Sequence, residues 1–133
     1  MMTNFEMVKE FNKAFGVPSA SVPVVISPER KLLRLALIAE EFKGKNELAD
    51  SMHAKNLIGI ADGLADLLYV VYGTAVEYGI DIDAVFAEVH RSNMSKLGEN
   101  GNPILRQDGK VLKGPFFSPP DIKKCLDMQF LRD

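Results

Sequence analysis

KNLIGIADGLADLLYVVYGTAVEY, residues 55–78, is the stretch that decides the fold, because it predicts one long helix. The valines and tyrosines at 69–72 would suit a strand locally, but the length of the apolar pattern favours a helix. Two aspartates, Asp62 and Asp66, interrupt the apolar residues. Carboxylates seldom lie inside a core unless they are paired or bind a metal ion. The stretch therefore predicts both a core helix and a candidate site.

The helix before this stretch is predicted to begin at Pro28. Ser27 is a favourable N-cap residue, and proline suits the first helical position. Residues 32–39 are apolar at nearly every position except Arg34, which indicates a helix buried on more than one side. One small bundle offers no second face to cover such a helix, so the pattern predicts a homodimer or homotetramer.

A second acidic cluster follows these apolar residues. Glu40 and Glu41 come first, and Gly44 then ends or bends the helix. If the helix continues, Glu40 and Glu47 share a face, while Glu41 lies to the side. On the long helix Asp62 and Asp66 lie on one face, ~6 Å apart along the axis.

Two acidic helices that face each other would supply the oxygen ligands that Mg²⁺ prefers, and Mn²⁺ would suit the same ligands. Solvated helix faces are the alternative interpretation, above all for Glu47 and Asp50. The candidate metal ligands are Glu40, Glu41, Glu47, Asp62 and Asp66.

Further helices flank this central pair. Apolar residues three to four apart predict a helix over residues 1–15, and Asp81 can cap another that runs towards Lys96. Asp108-Gly109, between two apolar pairs, predicts a hairpin. A last short helix is predicted to bury Ile122, Cys125, Leu126 and Phe130. We expect one all-α domain over residues 1–133, a helical bundle with a short hairpin-like loop near its C-terminal end.

Composition excludes some classes of partner. The 133 residues include 16 basic and 18 acidic side chains, a net charge of −2, which gives no case for binding nucleic acid or anionic membrane. One cysteine cannot form an internal disulfide, which suits the cytoplasm. Residues 1–15 lack the apolar core of a signal peptide. We expect no apolar run that approaches the ~18 residues of a membrane span.

Two motifs resemble those of the all-α nucleoside triphosphate pyrophosphohydrolases, a superfamily that includes MazG-like proteins, dimeric dUTPases and phosphoribosyl-ATP pyrophosphohydrolases. Glu40-Glu41 is followed about twenty residues later by DGLADLL at 62–68, and EVHRSNMSK at 88–96 resembles the downstream asparagine-and-lysine motif. The phosphoribosyl-ATP pyrophosphohydrolase-like branch is the most similar. The resemblance covers residues 30–97 and implies a MazG-like bundle.

The chain departs from the family pattern E-E-x-x-E, gap, E-x-x-D at two positions. The last glutamate of the first motif falls on Gly44, and the glutamate of the second falls on Gly63. The family pattern is matched directly at Glu40, Glu41 and Asp66. The two missing glutamates would have to be replaced by Asp62 and Glu47.

The resemblance implies Mg²⁺-dependent hydrolysis between the α and β phosphates, which gives a nucleoside monophosphate and pyrophosphate. In that mechanism Glu41 is our candidate to orient or deprotonate the attacking water. The candidate substrate-binding residues are Asn93, Lys96, Arg91, Lys110 and Lys113.

A function from another class stays open. Gly44 and Gly63 favour a non-catalytic helical protein that binds nucleotides or other proteins through a degenerate metal site. The retained carboxylates, together with Asn93 and Lys96, favour the enzyme. No P-loop, dinucleotide-binding or zinc-protease motif competes with either prediction.

Overall fold

A computed structural model describes residues 1–132, and within them the chain forms six α-helices and one two-stranded sheet. The all-α class with a short hairpin near the C-terminal end is confirmed. The elements are α1 (Asn4–Phe15), α2 (Pro28–Lys43), α3 (Leu48–His53), α4 (Leu57–Tyr78), α5 (Ile82–Met94), β1 (Ile104–Leu105), β2 (Val111–Leu112) and α6 (Ile122–Gln129).

The chain divides into two compact units, of which the first comprises Met1–Ile80 and the second begins at Asp81. The expectation of one domain over residues 1–133 stays a prediction, and residue 133 lies outside the described residues.

Local capping sets the ends of the helices in the first unit. Ser27 Oγ accepts a hydrogen bond from the Arg30 N–H at 3.2 Å, as predicted for an N-cap. At the other end of α2, the Gly44 N–H donates to the carbonyl of Glu40, and the helix stops there. Gly79 ends α4 in the left-handed conformation, with φ of 68°.

The end of α2 at Lys43 decides between two alternatives, because Gly44 ends the helix and does not merely bend it. Glu40 and Glu47 cannot share a helical face, because Gly44 has extended backbone angles and Glu47 belongs to the next segment. Glu47 instead stands at the N-cap of α3.

Helix α4 contacts α1, α2 and α3, and is therefore the centre of the first unit. A buried ion cluster fixes α2 against it. The Glu77 carboxylate accepts hydrogen bonds from Arg30 Nε and Nη2 at 2.8 and 2.9 Å, and Arg34 Nη1 lies 3.1 Å from the same carboxylate. Arg34 also donates to the Val70 carbonyl and the Thr74 hydroxyl. These pairings require that the two helices run antiparallel.

Within one chain residues 32–39 are not buried on more than one side, and their burial by a second copy stays a prediction. Arg34 is the buried residue of α2, whereas Leu32 and Leu35 are 63% and 59% exposed. The reason is that α2 meets α4 through the guanidinium of Arg34 and the carboxylate of Glu77, which leaves these leucines facing away.

The expectation that no stretch is long and apolar enough to span a membrane is wrong, because α4 meets that test by length and composition. One such helix is weak evidence for a span by itself, although only 11% of its apolar window is buried within the chain. Helix α4 carries Asp62, Asp66 and Glu77 and contacts three other helices.

The second unit joins α5 to α6 and contains the hairpin. Ile104 pairs with Leu112 and Leu105 with Val111 in an antiparallel hairpin that turns at Asp108-Gly109, as the sequence predicts. The Glu88 carboxylate of α5 accepts the Asp121 N–H at the start of α6, at 2.7 Å.

One burial prediction for α6 needs correction. Phe130 is 57% exposed, and Gln129 is buried in its place. The physical reason is a hydrogen bond, because Gln129 Oε1 accepts the Asp81 N–H at 2.9 Å. The side chains of Ile122, Cys125 and Leu126 are half-buried.

Candidate metal centre

Three carboxylates of the first unit meet at one point. One oxygen atom from each of Glu41, Glu47 and Asp66 lies within 4.8 Å of the other two. The three residues come from the last turn of α2, the segment before α3 and the middle of α4. Three oxygens from three segments, all half-buried, form a compact set of hard ligands. We call these residues the carboxylate trio.

The antiparallel pairing of α2 and α4 brings Glu41 and Asp66 together. Arg34 and Glu41 are seven residues apart, which is about two helical turns, so they lie on the same face of α2. Asp66 lies one turn before Val70, whose carbonyl accepts from Arg34. The ion cluster around Glu77 thus sets the register in which Glu41 faces Asp66.

A tight turn between α2 and α3 places Glu47 beside the other two carboxylates. Asn46 has a left-handed backbone, with φ of 63°, and its N–H donates to Asp50 Oδ2 at 2.9 Å. The Glu47 N–H donates to the Gly44 carbonyl at 3.1 Å. Asp50 therefore stabilises this turn. Although Glu47 occupies the N-cap of α3, its side chain makes no capping hydrogen bond.

The electrostatics of the trio centre on Glu41. Burial, followed by the negative charges of Glu47, Asp66 and Glu40, raises the pKa of the Glu41 carboxyl above its ordinary value. Glu41 Oε2 is buried and has no hydrogen-bond partner among residues 1–132. A divalent cation would satisfy that oxygen and reduce the repulsion between the three carboxylates, so the residues fit a metal ion.

The two other predicted ligands lie outside the trio. Glu40 and Asp62 are both exposed, and neither supplies an oxygen to the group of three. Their assignment as metal ligands stays a prediction, as does the assignment of Glu41 as the base.

The predicted substrate-binding residues all belong to the second unit. Arg91 is already engaged, since its guanidinium donates to both oxygens of Glu88 and to the Pro119 carbonyl. Lys113 Nζ lies 4.7 Å from the centre of the Phe117 ring. Lys96 is half-buried, whereas Asn93 and Lys110 are exposed. Their role in binding phosphate stays a prediction.

The ion cluster that holds the site in register was not predicted from the sequence. Its members stand in apolar surroundings, Arg34 within residues 32–39 and Glu77 near the end of α4. The signal was available, because an isolated charge in an apolar helix needs a partner of opposite sign.

Comparisons with known proteins agree with this fold. The structure resembles the crystal structure of a proposed NTP pyrophosphohydrolase from Exiguobacterium sp. 255-15, with a TM-score of 0.51, 28% identity, and coverage of 98% of this chain and 95% of that one. The sequence profile of the phosphoribosyl-ATP pyrophosphohydrolase family matches residues 8–93. The chain belongs to this family, and the resemblance drawn from its motifs is confirmed.

An uncharacterised protein, L479, of Acanthamoeba polyphaga mimivirus is 35% identical over 130 residues, which cover 94% of this chain and 48% of that protein. The chain thus spans about half the length of this relative.

Proposed function

We propose that the chain hydrolyses a nucleoside triphosphate between its α and β phosphates and releases a nucleoside monophosphate and pyrophosphate. The observation that carries this proposal is the carboxylate trio, whose oxygens lie within 4.8 Å of one another in a chain of this family. The structural similarity to a proposed NTP pyrophosphohydrolase supports the same class of activity.

The proposed cofactor is Mg²⁺, held by Glu41, Glu47 and Asp66. The buried Oε2 of Glu41 supports this, because an unpaired oxygen in a group of carboxylates requires a cation or a proton. When bound, the ion neutralises the negative charge that develops on the leaving pyrophosphate. Glu40 and Asp62 are exposed on the same two helices and are proposed as further ligands, and Mn²⁺ is the natural replacement ion.

Within this proposal Glu41 orients or deprotonates the attacking water. The geometry supports this role, because Glu41 Oε2 is buried beside Glu47 and Asp66 and has no hydrogen-bond partner among residues 1–132, so it is free to accept a proton from a bound water. Lys96, Asn93, Lys110 and Lys113 are proposed to hold the phosphates as hydrogen-bond donors. Arg91 is the least available of the proposed phosphate contacts, since Glu88 already binds it.

We further propose that the chain works as a homodimer or homotetramer in the cytoplasm. The support is the apolar surface of α2 and α4, where residues such as Leu32, Leu35, Leu64 and Leu68 are at least half exposed. Water contact with so many large side chains is unfavourable, and a second copy would remove it. The single cysteine suits a reducing compartment.

The test is a panel of nucleoside triphosphates with and without Mg²⁺, in which pyrophosphate and orthophosphate are measured separately. The proposal expects pyrophosphate with a monophosphate, in the presence of Mg²⁺ only. Asp66→Asn should abolish the release, because an amide oxygen is a weaker ligand for Mg²⁺. If nucleotides bind but none of the panel yields pyrophosphate, the non-catalytic binding function is correct instead.

A further inference from the structure

Gly63 lies in the middle of α4 at its contact with α3. A Cβ atom at this position would lie 3.0 Å from both Cα and Cβ of Leu48 and 3.3 Å from its Cδ1. Glycine is a poor helix former, so its place inside a 22-residue helix calls for another cause. The cause is the close approach of Leu48, the first residue of α3, to the bare backbone of α4.

Gly44 makes a second close approach to the same segment. A Cβ atom there would overlap the carbonyl oxygen of Glu40 and lie 3.1 Å from Cγ of Glu47. Both glycines therefore border one dipeptide, Glu47-Leu48. A side chain at 63 would need the space that Leu48 fills, whereas a side chain at 44 would overlap the Glu40 carbonyl first and the Glu47 side chain second.

We propose that Gly44 and Gly63 are positioning residues that seat Glu47 as the third carboxylate of the metal centre, an inference that rests on the proposed function. Leu48 follows Glu47 directly, so a side chain at 63 that displaces Leu48 also withdraws the Glu47 carboxylate. A side chain at 44 presses on the Glu47 stem itself. The contacts favour a role in placing the Glu47 carboxylate over a role in helix packing alone. The Glu47 side chain makes no capping hydrogen bond, and one of its carboxylate oxygens lies within 4.8 Å of oxygens of Glu41 and Asp66.

If the two glycines position Glu47, their substitution should lower the affinity for the metal ion and not only the stability of the fold. A glycine needed only for packing would change the stability of the fold and leave the three oxygens in place. If a glycine seats Glu47, its substitution and Glu47→Gln remove the same metal ligand. The losses of Mn²⁺ affinity caused by the two substitutions should therefore not add.

The experiment measures Mn²⁺ and Mg²⁺ binding by calorimetry, with the melting temperature recorded beside it. The variants are Glu47→Gln, Gly63→Ala, Gly44→Ala and the double variant Glu47→Gln/Gly63→Ala. We expect each single variant to weaken Mn²⁺ binding by about tenfold or more, as loss of a group that orients a ligand does. The double variant should bind no more weakly than Glu47→Gln alone.

Gly98→Ala is the matched control. Gly98 lies between α5 and β1, and a Cβ atom there would lie 3.2 Å from the carbonyl oxygen of Asn102 and 3.4 Å from Cγ1 of Ile104. This variant makes a similarly tight contact in the second unit, and it should bind Mn²⁺ within about twofold of wild type, because it shares no partner with the carboxylate trio or with the Glu77 ion cluster. If Gly63→Ala does not fold, Gly44→Ala combined with Glu47→Gln decides the question. Seating of Glu47 predicts no further loss of affinity in this double variant, whereas displacement of the Glu40 carbonyl beside Glu41 predicts a further loss.

Two results would overturn the inference, and they are distinguishable from failure of the proposed function. The glycine variants could bind Mn²⁺ as tightly as wild type, or the effects of Glu47→Gln and Gly63→Ala could add. Either leaves the proposed metal centre intact and removes the role of the glycines. Wild-type protein that binds neither ion removes the metal centre itself, and with it this inference.

Discussion

At the scale of single residues, Glu41 combines the features expected of a base with those expected of a metal ligand. Glu41→Gln keeps the shape of the side chain but cannot accept a proton. We expect kcat for pyrophosphate release to fall by about 10²–10⁴-fold, while KM changes much less. Steady-state kinetics with Mg²⁺ checks this, and a variant in which KM rises while kcat is retained would show that Glu41 contributes uniform binding only.

Glu88 gives a second prediction at this scale, on stability in acid. Hydrogen bonds from Arg91 and from the Asp121 N–H lower the pKa of Glu88 from 4.5 to about 2. Because the pKa is lower in the folded state, the carboxylate stabilises the fold above about pH 4.5, and this contribution is lost as the pH falls towards 2.

Glu88→Gln should therefore lower the melting temperature at pH 6 and change it much less at pH 2, because most of the stabilisation by the ionised carboxylate is lost by the pH at which it is half protonated. Melting curves between pH 2 and 6 measure the difference, with Glu99→Gln on the exposed loop as the control. An equal loss at both pH values would mean that the Glu88 charge does not contribute.

At the scale of elements, the ion cluster between α2 and α4 carries a prediction about stability. The Glu77 side chain is fully buried and that of Arg34 is 9% exposed. Glu77→Gln leaves the guanidinium of Arg34 buried without a counter-charge, which should cost about 3–5 kcal/mol of the free energy of unfolding. Urea unfolding measures it.

The matched control changes an exposed carboxylate to its amide. Asp127→Asn breaks the Lys123–Asp127 pair on α6, and should cost no more than about 0.5 kcal/mol. Similar losses for the two variants would contradict the assignment of the Glu77 cluster as the main connection between α2 and α4.

The elements also show how far sequence reasoning reached. Helix ends were predictable, because Ser27, Asp81 and Gly79 act on backbone groups within four residues of themselves. The position of the Glu47 carboxylate could not be predicted in this way, because it depends on Gly44 and Gly63, which are distant from each other in sequence. Similarly, the pattern of residues 32–39 showed which side chains are apolar but not that a buried arginine would turn most of them outward.

At the scale of the whole molecule, the exposed apolar surface predicts self-association. Light scattering at micromolar concentration should give a dimer or a larger oligomer, because the chain alone leaves Leu32 and Leu35 largely in water. Leu32→Glu should shift the mass towards the 14.7 kDa of one chain, since a charge cannot be buried there without a partner.

Leu105→Glu is the control for this change, because Leu105 is similarly exposed but lies on the hairpin. The prediction fails if wild type is already a 14.7 kDa monomer, or if both glutamate variants dissociate to the same extent.

The brevity of α3 has a consequence for how long an ion stays bound. Six residues without a side-chain cap are too few to be stable as a helix by themselves, so this segment should open locally more often than its neighbours. Since Glu47 stands at its first turn, each opening removes one ligand. Amide exchange should therefore slow in residues 48–53 when Mn²⁺ is added, while α5 is unaffected. The residence time of the ion would then be set by the fraying of a single turn, and less by the strength of its bonds to oxygen.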